Sequence, residues 1–191
     1  MSAMKAEEAR SASGSMRRSW LFVVPVLIFG LMAAVFYVGL GIDQKVLPSA
    51  LIDEPIPKFD LPALPGHEQG LSSADLEGHV SLVNTFASWC LPCRAEHAVL
   101  NALSATKRVP IYGIDYKDKG EAGAAWIKTL GNPYAKVGAD SGRVGIAWGV
   151  YGVPETFIVD RAGRIRYKHV GPLTQADVDR TILPLVARLE K

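Results

Sequence analysis

Cysteine is scarce in this chain, because Cys90 and Cys93 are the only two among 191 residues. Two cysteines are too few for the dense disulfide framework that stabilises many small secreted domains. No second cysteine pair accompanies them, and the four histidines occur singly, at positions 67, 79, 97 and 169. A zinc site needs further ligands at suitable spacing, so the composition argues against a metal site.

The chain also lacks an excess of charge of either sign beyond its first residues. From Asp43 to Lys191 there are 17 Lys and Arg residues and 17 Asp and Glu residues, so the formal net charge of +2 comes from the N-terminal tail. Proteins that bind nucleic acid normally present a basic patch. The balanced charge therefore argues against nucleic acid as a partner.

Charged residues are absent from the 24 positions between Ser19 and Ile42. As a helix this run would be roughly 36 Å long, enough to cross a hydrocarbon core of about 30 Å. A cleaved signal peptide is the alternative, but no clear small-residue cleavage motif follows the run. Arg17 and Arg18 precede it, and such a basic flank favours a cytoplasmic N-terminus. We therefore expect a cytoplasmic tail over residues 1–18, a transmembrane anchor over 19–42 and an exported remainder.

The exported remainder divides into a linker and one domain. Residues 43–57 contain three prolines and no regular apolar period, which predicts an extended linker. The domain is expected over residues 58–191. Near its start, FDLPAL predicts a first short strand. It is followed by VSLVNTF, residues 80–86, an apolar run with β-branched members that is typical of a buried strand.

The order of the later segments predicts the fold class. After VSLVNTF comes a stretch with apolar residues at three- and four-residue spacing, and then VPIYGIDY, residues 109–116, which together indicate a βαβ unit. TFIVD and IRYKHV flank the turn RAGR and predict an antiparallel hairpin, and a final helix follows, which Pro184 should kink. This plan is that of an α/β, thioredoxin-like fold, with a central mixed sheet flanked by helices and, here, preceded by one N-terminal transmembrane helix.

The cysteine pair lies in SWCLPCRAEH, at the junction between the first strand and the first helix of the predicted βαβ unit. Unpaired amides at a helix N-terminus stabilise a thiolate, lowering the pKa of Cys90 below its free value of about 8.5. A purely structural disulfide is the alternative, but so short a loop constrains the unfolded chain very little. The position therefore favours redox chemistry, with Cys90 as the nucleophile and Cys93 as the more buried partner that resolves a mixed disulfide.

Three segments together, SWCLPCRAEH, GIDYKDK and YGVPETFIVD, resemble the thioredoxin-like cytochrome c biogenesis proteins of the CcmG/DsbE type. That resemblance covers nearly the whole chain. It implies a thiol:disulfide oxidoreductase, anchored by a single pass in the bacterial inner membrane with its C-terminal domain in the periplasm. It also implies a reductase of the C-x-x-C-H cysteines of apocytochrome c, without bound cofactor or metal. The implied partners are apocytochrome c or the heme-ligation components, and a membrane electron donor of the DsbD or CcdA type.

The resemblance also implies roles for individual residues. Pro154 resembles the cis-proline that faces the cysteine pair in thioredoxin folds, with the backbone at Val153 free to pair with a substrate strand. An ordinary turn proline is the alternative. Trp89 resembles the tryptophan that packs over the active site and offers an apolar surface to a peptide.

Glu96 and Glu155 resemble glutamates that line an acidic active site in this family, with solvated surface glutamates as the alternative. Thioredoxins carry a buried aspartate six residues before the first cysteine, and Asn84 occupies that position here. Asparagine cannot act as a general base, so Glu96 or Glu155 would have to accept the proton of Cys93.

The same residues are compatible with other functions. A general or copper-site reductase, a disulfide donor, and a non-catalytic module that presents apocytochrome or heme remain alternatives. Leu91 and Pro92, the two residues between the cysteines, should tune the reduction potential, but their identity does not predict its value.

Overall fold

The computed structural model describes residues 20, 22–37 and 51–191. Residues 20 and 22–37 are helical (α1), and the large apolar side chains described there are exposed. No helix within the described residues is both long and apolar enough to cross a membrane. The predicted tail over 1–18 lies outside the described residues, as do positions 19, 21 and 38–42 of the predicted anchor and positions 43–50 of the predicted linker.

Within residues 51–191, seven strands form two sheets. The two short strands are β1 (Asp60–Leu61) and β2 (Leu71–Ser72), and the longer ones are β3 (Ser81–Phe86), β4 (Ile111–Tyr116), β5 (Lys136–Asp140), β6 (Glu155–Val159) and β7 (Ile165–Val170). β1 pairs with β2, and the other five form one sheet in the order β5-β4-β3-β6-β7. β3, β4 and β5 run parallel, whereas β6 and β7 are antiparallel to their neighbours. The predicted mixed sheet is thus confirmed.

Helices connect and cover these strands. α2 (Leu91–Ala105) joins β3 to β4, α3 (Gly120–Leu130) joins β4 to β5, and α4 (Arg143–Ala147) precedes β6. The chain ends with α5 (Gln175–Asp177), a π-helical turn (Val178–Ile182) and α6 (Leu183–Leu189). α4 is missing from the predicted elements, because five residues are too few to establish a helical period.

The core consists of two layers, one on each face of the five-stranded sheet. All six residues of β3 are buried, because it pairs on both sides and is covered on both faces. Leu82 and Phe86 pack in the layer that also holds Trp126 of α3, while Val83 packs in the layer that holds Phe157 of β6. Both cysteines belong to the first layer, which is the face covered by α2 and α3.

Residues 51–57 belong to the folded domain, which corrects the predicted boundary at Lys58. The amide of Asp53 donates to the Ile165 carbonyl at 2.7 Å, and the amide of Ile56 donates to the Gly163 carbonyl at 2.8 Å. Three apolar side chains of the segment pack against the second core layer: Leu51, Ile52 and Ile56. The prolines made this segment resemble a linker, whereas its apolar residues complete the core beside β7.

The final helix is irregular just before Pro184. The amide of Leu183 donates to the carbonyl of Val178, five residues back, which closes the π-helical turn. Pro184 has no amide hydrogen, and its ring would crowd the carbonyl four residues earlier in a regular helix. The irregularity predicted at Pro184 is thus a π-helical turn just before the proline.

Candidate active site

Cys90 and Cys93 lie where β3 gives way to α2. Cys90 is the N-cap residue of α2, with φ −86° and ψ 107°, and Pro92 occupies the first turn, where its missing N–H breaks no helical hydrogen bond. The two cysteines form a disulfide with a Cα–Cα distance of 5.3 Å, and the Cys93 amide donates to Cys90 Sγ at 3.1 Å. The Cys90 sulfur therefore sits among the free amides of a helix N-terminus, which favour a thiolate.

The surface beside the disulfide is apolar. Cys90 is 4% exposed and Cys93 is 1% exposed, whereas the flanking Trp89 and Leu91 are 61% and 76% exposed. The indole Nε1 of Trp89 donates to the Lys117 carbonyl at 3.2 Å, so the loop after β4 holds the ring in place. Trp89 thus presents a large, exposed aromatic surface next to Cys90 in the chain.

The segment before β6 approaches the disulfide from the neighbouring strand. The peptide bond between Val153 and Pro154 is cis, as the resemblance of GVPET to the family motif implied. The Val153 carbonyl oxygen lies 3.4 Å from Cys90 Sγ. The Thr85 hydroxyl donates to the Glu155 carbonyl at 3.1 Å and accepts from the Glu155 amide at 3.3 Å, which ties the residue after the proline to β3. The structure thus brings Val153 and Pro154 to the cysteine pair.

Glu96 is a buried carboxyl group on α2, only 1% exposed, and so is not a solvated surface glutamate. Its Oε1 accepts from Asn84 Nδ2 at 2.9 Å, and its Oε2 accepts from the Leu173 amide at 2.8 Å. Burial raises the pKa of Glu96 to about 7, although both hydrogen bonds oppose that shift. Glu96 can therefore change protonation state near neutral pH.

Asn84 connects Glu96 to two further elements. Its Nδ2 also donates to Thr156 Oγ1 at 3.0 Å, and its Oδ1 accepts from the Tyr134 hydroxyl at 2.8 Å. Burial, Glu96 and Asp115 raise the pKa of Tyr134 well above its ordinary value, so Tyr134 remains a neutral donor. Tyr134 and Thr156 lie 50 and 72 residues from Asn84 in the chain. No local sequence signal could have identified them.

Glu155 lies on the opposite face of the sheet from Glu96. Side chains alternate along β6, and Thr156 bonds Asn84 on the α2 face while Phe157 packs in the other layer. The Glu155 side chain is 1% exposed, and the Lys168 ammonium lies 3.0 Å from its Oε2. Burial raises the pKa of Glu155, while Lys168 and the amides of Tyr151 and Gly152 oppose the shift. The structure thus does not bring the two predicted glutamates together, and sequence reasoning missed Lys168.

A third buried carboxyl group, Asp115 at the end of β4, also escaped the sequence analysis. Burial and the neighbouring Asp118 raise the pKa of Asp115 to about 8. Asp118 accepts from the Ser88 hydroxyl at 3.0 Å and also from the Ser88 amide. These contacts support the turn that carries Trp89. Among the described residues, no three His, Cys, Asp or Glu side chains are grouped so that they could hold a metal ion.

Comparison with known proteins agrees with this geometry. The Redoxin family matches residues 52–182. The thiol:disulfide interchange protein DsbE of Pseudomonas fluorescens biotype C is 46% identical over 159 residues, which cover 83% of this chain and 88% of the relative. The DsbE protein of Escherichia coli (strain K12) is 41% identical over 178 residues, which cover 90% of this chain and 96% of the relative.

Solved structures share the fold. A thiol:disulfide interchange protein of the thioredoxin family from Chlorobium tepidum TLS is 28% identical with a TM-score of 0.56, and the match covers 69% of this chain and 95% of that chain. A DsbF homologue from Corynebacterium diphtheriae is 20% identical with a TM-score of 0.57, covering 69% and 86%, and shows the fold alone. The chain therefore belongs to the Redoxin family, among the thiol:disulfide interchange proteins of the DsbE (CcmG) type, and is a thiol:disulfide oxidoreductase with a thioredoxin-like fold.

Proposed function

We propose that this oxidoreductase reduces the heme-attachment cysteines of apocytochrome c, a C-x-x-C-H motif, on the periplasmic side of the inner membrane. The observation that carries the proposal is the position of Val153. Its carbonyl oxygen lies 3.4 Å from Cys90 Sγ, beside the cis-proline Pro154 and in the same site as the exposed Trp89. An extended peptide that paired with this backbone would bring its own disulfide to Cys90.

The reaction is a two-step exchange that starts from the reduced pair. The Cys90 thiolate attacks one sulfur of the substrate disulfide, forms a mixed disulfide and expels the other substrate sulfur as a thiolate. The Cys93 thiolate then attacks Cys90 Sγ, forms the Cys90–Cys93 disulfide and releases the second substrate thiolate. Two electrons pass from the cysteine pair to the substrate, so no bound cofactor is required. A membrane electron donor of the DsbD or CcdA type would then reduce the pair again.

Glu96 is the proton acceptor in this proposal. It follows Cys93 by three residues on α2, which places the two side chains on the same helix face. Its pKa of about 7 lets it take the Cys93 proton and return it at neutral pH. Glu155 is paired with Lys168 and faces the other side of the sheet, so it does not serve this role.

The proposal places the domain at a membrane surface. The uncharged run from Ser19 to Ile42 and the exposed apolar side chains of residues 20 and 22–37 support a single anchor. Confinement to a membrane would raise the effective concentration of the enzyme near its electron donor and the heme-ligation components.

Replacing Cys93 with serine should trap the substrate. The full-length Cys93→Ser variant, incubated in detergent with an oxidised C-x-x-C-H peptide, should accumulate a mixed disulfide through Cys90, because no second thiol can resolve it. Mass spectrometry measures the adduct, with Cys90→Ser as the matched control that forms none. Binding of the peptide without an adduct would instead support a non-catalytic module.

The reduction potential should identify the direction of electron flow. Equilibration of the full-length chain with a thiol redox buffer should give a value near or below about −200 mV, as for glutaredoxins and thioredoxin. A value near about −120 mV, typical of a strong periplasmic oxidant, would make the chain a disulfide donor and overturn the proposal.

Glu96→Gln should remove a pH dependence from the resolving step. In the wild-type chain the rate of peptide release should rise as the pH passes through about 7, because Glu96 is protonated below this value and can accept a proton only above it. The variant should lose this rise, and on its alkaline side its rate should be lower by about tenfold or more.

Rapid-quench measurement of the released peptide gives both pH profiles. Glu155→Gln is the matched control and should retain the rise. Superimposable profiles for the wild type and Glu96→Gln would remove Glu96 from the mechanism.

Fractionation of cells that express the chain tests the anchor. The full-length chain should remain in the membrane after alkaline carbonate extraction, and deletion of residues 19–42 should release it. Extraction of the full-length chain by carbonate would contradict a transmembrane anchor.

A further inference from the structure

Lys168 of β7 is a buried cation with several partners. Its side chain is 5% exposed. An ammonium group at this burial is costly unless it is paired and hydrogen-bonded. Its Nζ lies 3.0 Å from Glu155 Oε2, donates to the Gly149 carbonyl at 2.8 Å, and lies 4.1 Å from the centre of the Tyr151 ring. It also lies 5.5 Å from the centre of the Phe157 ring.

The partners of Lys168 lie on both sides of the cis peptide bond. Gly149 and Tyr151 precede Val153, and Glu155 follows Pro154 directly. One ammonium group therefore links the start of β6 to the residues that lead into the cis bond. An ion pair formed only to neutralise Glu155 would not require the Gly149 and Tyr151 contacts.

The contact with Lys168 leaves most of the Tyr151 side chain exposed to solvent. The ammonium group covers one face of its ring at 4.1 Å, a cation–π contact that restrains the ring. The residue nevertheless remains 66% exposed and lies two positions before Val153. The exposed part of the ring is therefore an aromatic surface two residues before Val153, whose carbonyl faces Cys90.

We propose that Lys168 is a positioning residue for the substrate. It fixes residues 149–153, so that the Val153 backbone and the Tyr151 ring are already arranged when an extended peptide arrives. This role rests on the proposed function in one respect, because it requires a peptide disulfide as the substrate. Preorganised groups lower the entropic cost of binding. Loss of Lys168 should therefore weaken peptide binding more than it slows exchange at the cysteines, which lie on the other face of the sheet.

Single-turnover kinetics separate these two effects. The reduced full-length chain in detergent is mixed with an oxidised C-x-x-C-H peptide over a range of peptide concentrations, and Trp fluorescence or rapid quenching follows oxidation of the pair. For Lys168→Met, the half-saturating peptide concentration should rise by about tenfold while the limiting rate changes by less than about threefold. Lys168→Arg keeps the cation and should recover part of the loss.

Arg166→Met is the matched control, because Arg166 is a cation two residues earlier on β7 that pairs with Asp53 and Asp160 instead. It should keep the wild-type half-saturating concentration. A rise equal to that of Lys168→Met would show that any cation on this strand matters, and would overturn the proposal.

A double variant controls for the carboxylate that Lys168→Met leaves unpaired. Glu155→Gln with Lys168→Met replaces both buried charges by neutral groups of similar size, and it should still show the raised half-saturating concentration because the Gly149 and Tyr151 contacts remain lost. Recovery of the wild-type value, or a loss confined to the limiting rate, would overturn the proposal.

An unrelated peptide disulfide distinguishes failure of the two proposals. If the wild-type chain reduces it but not the C-x-x-C-H peptide, the proposed function fails. The wild-type and Lys168→Met chains are then compared on the unrelated peptide, again by the half-saturating peptide concentration and the limiting rate.

Discussion

The hydrogen bond from Asn84 to Glu96 joins the elements that form the active site. Asn84 belongs to the central strand β3, and Glu96 belongs to α2, the helix that begins at the cysteines. The same amide group bonds Thr156 on β6 and Tyr134 before β5, while Glu96 also holds the Leu173 amide after β7. A buried polar network of this kind is stable only when its members are satisfied together. The position of α2, and with it that of Cys90, therefore depends on contacts from four strands or their flanking residues.

Glu96 and Glu155 show how burial and pairing give one residue type two different uses. Neither side chain has appreciable contact with water, and burial raises the pKa of both. Both hydrogen-bond donors to Glu96 are neutral groups, so they stabilise its charged form only weakly. The pKa of Glu96 is therefore about 7, and its carboxyl group can bind or release a proton near neutral pH. Glu155 has the Lys168 ammonium at 3.0 Å, which stabilises its charged form. The first arrangement suits proton transfer, and the second suits the attachment of one strand to another.

Local sequence patterns were sufficient for the parts of the site that are local in the chain. The C-x-x-C spacing and the strand-to-helix junction predicted where the cysteines lie, and the resemblance of GVPET to the family motif implied the cis bond at Pro154. Tyr134, Thr156 and Lys168 could not be found in this way, because their roles depend on strand register and on which face of the sheet a side chain occupies. The boundary predicted at Lys58 is wrong because the contacts of residues 51–57 are also distant in the chain. Their prolines are typical of a linker, whereas their apolar residues pack against the core.

Residues 51–57 and the segment around β1 also limit self-association of the sheet. A sheet edge exposes unpaired backbone groups that can pair with another copy of the same chain. Here Pro55 lies opposite Arg164, the residue before β7, and Ala63 lies opposite Gly138 on β5, so both outer strands are partly covered by residues that precede the sheet. Pro55 has no backbone N–H to offer to an incoming strand. Copies of this domain at high local concentration would therefore have fewer open edges through which to aggregate.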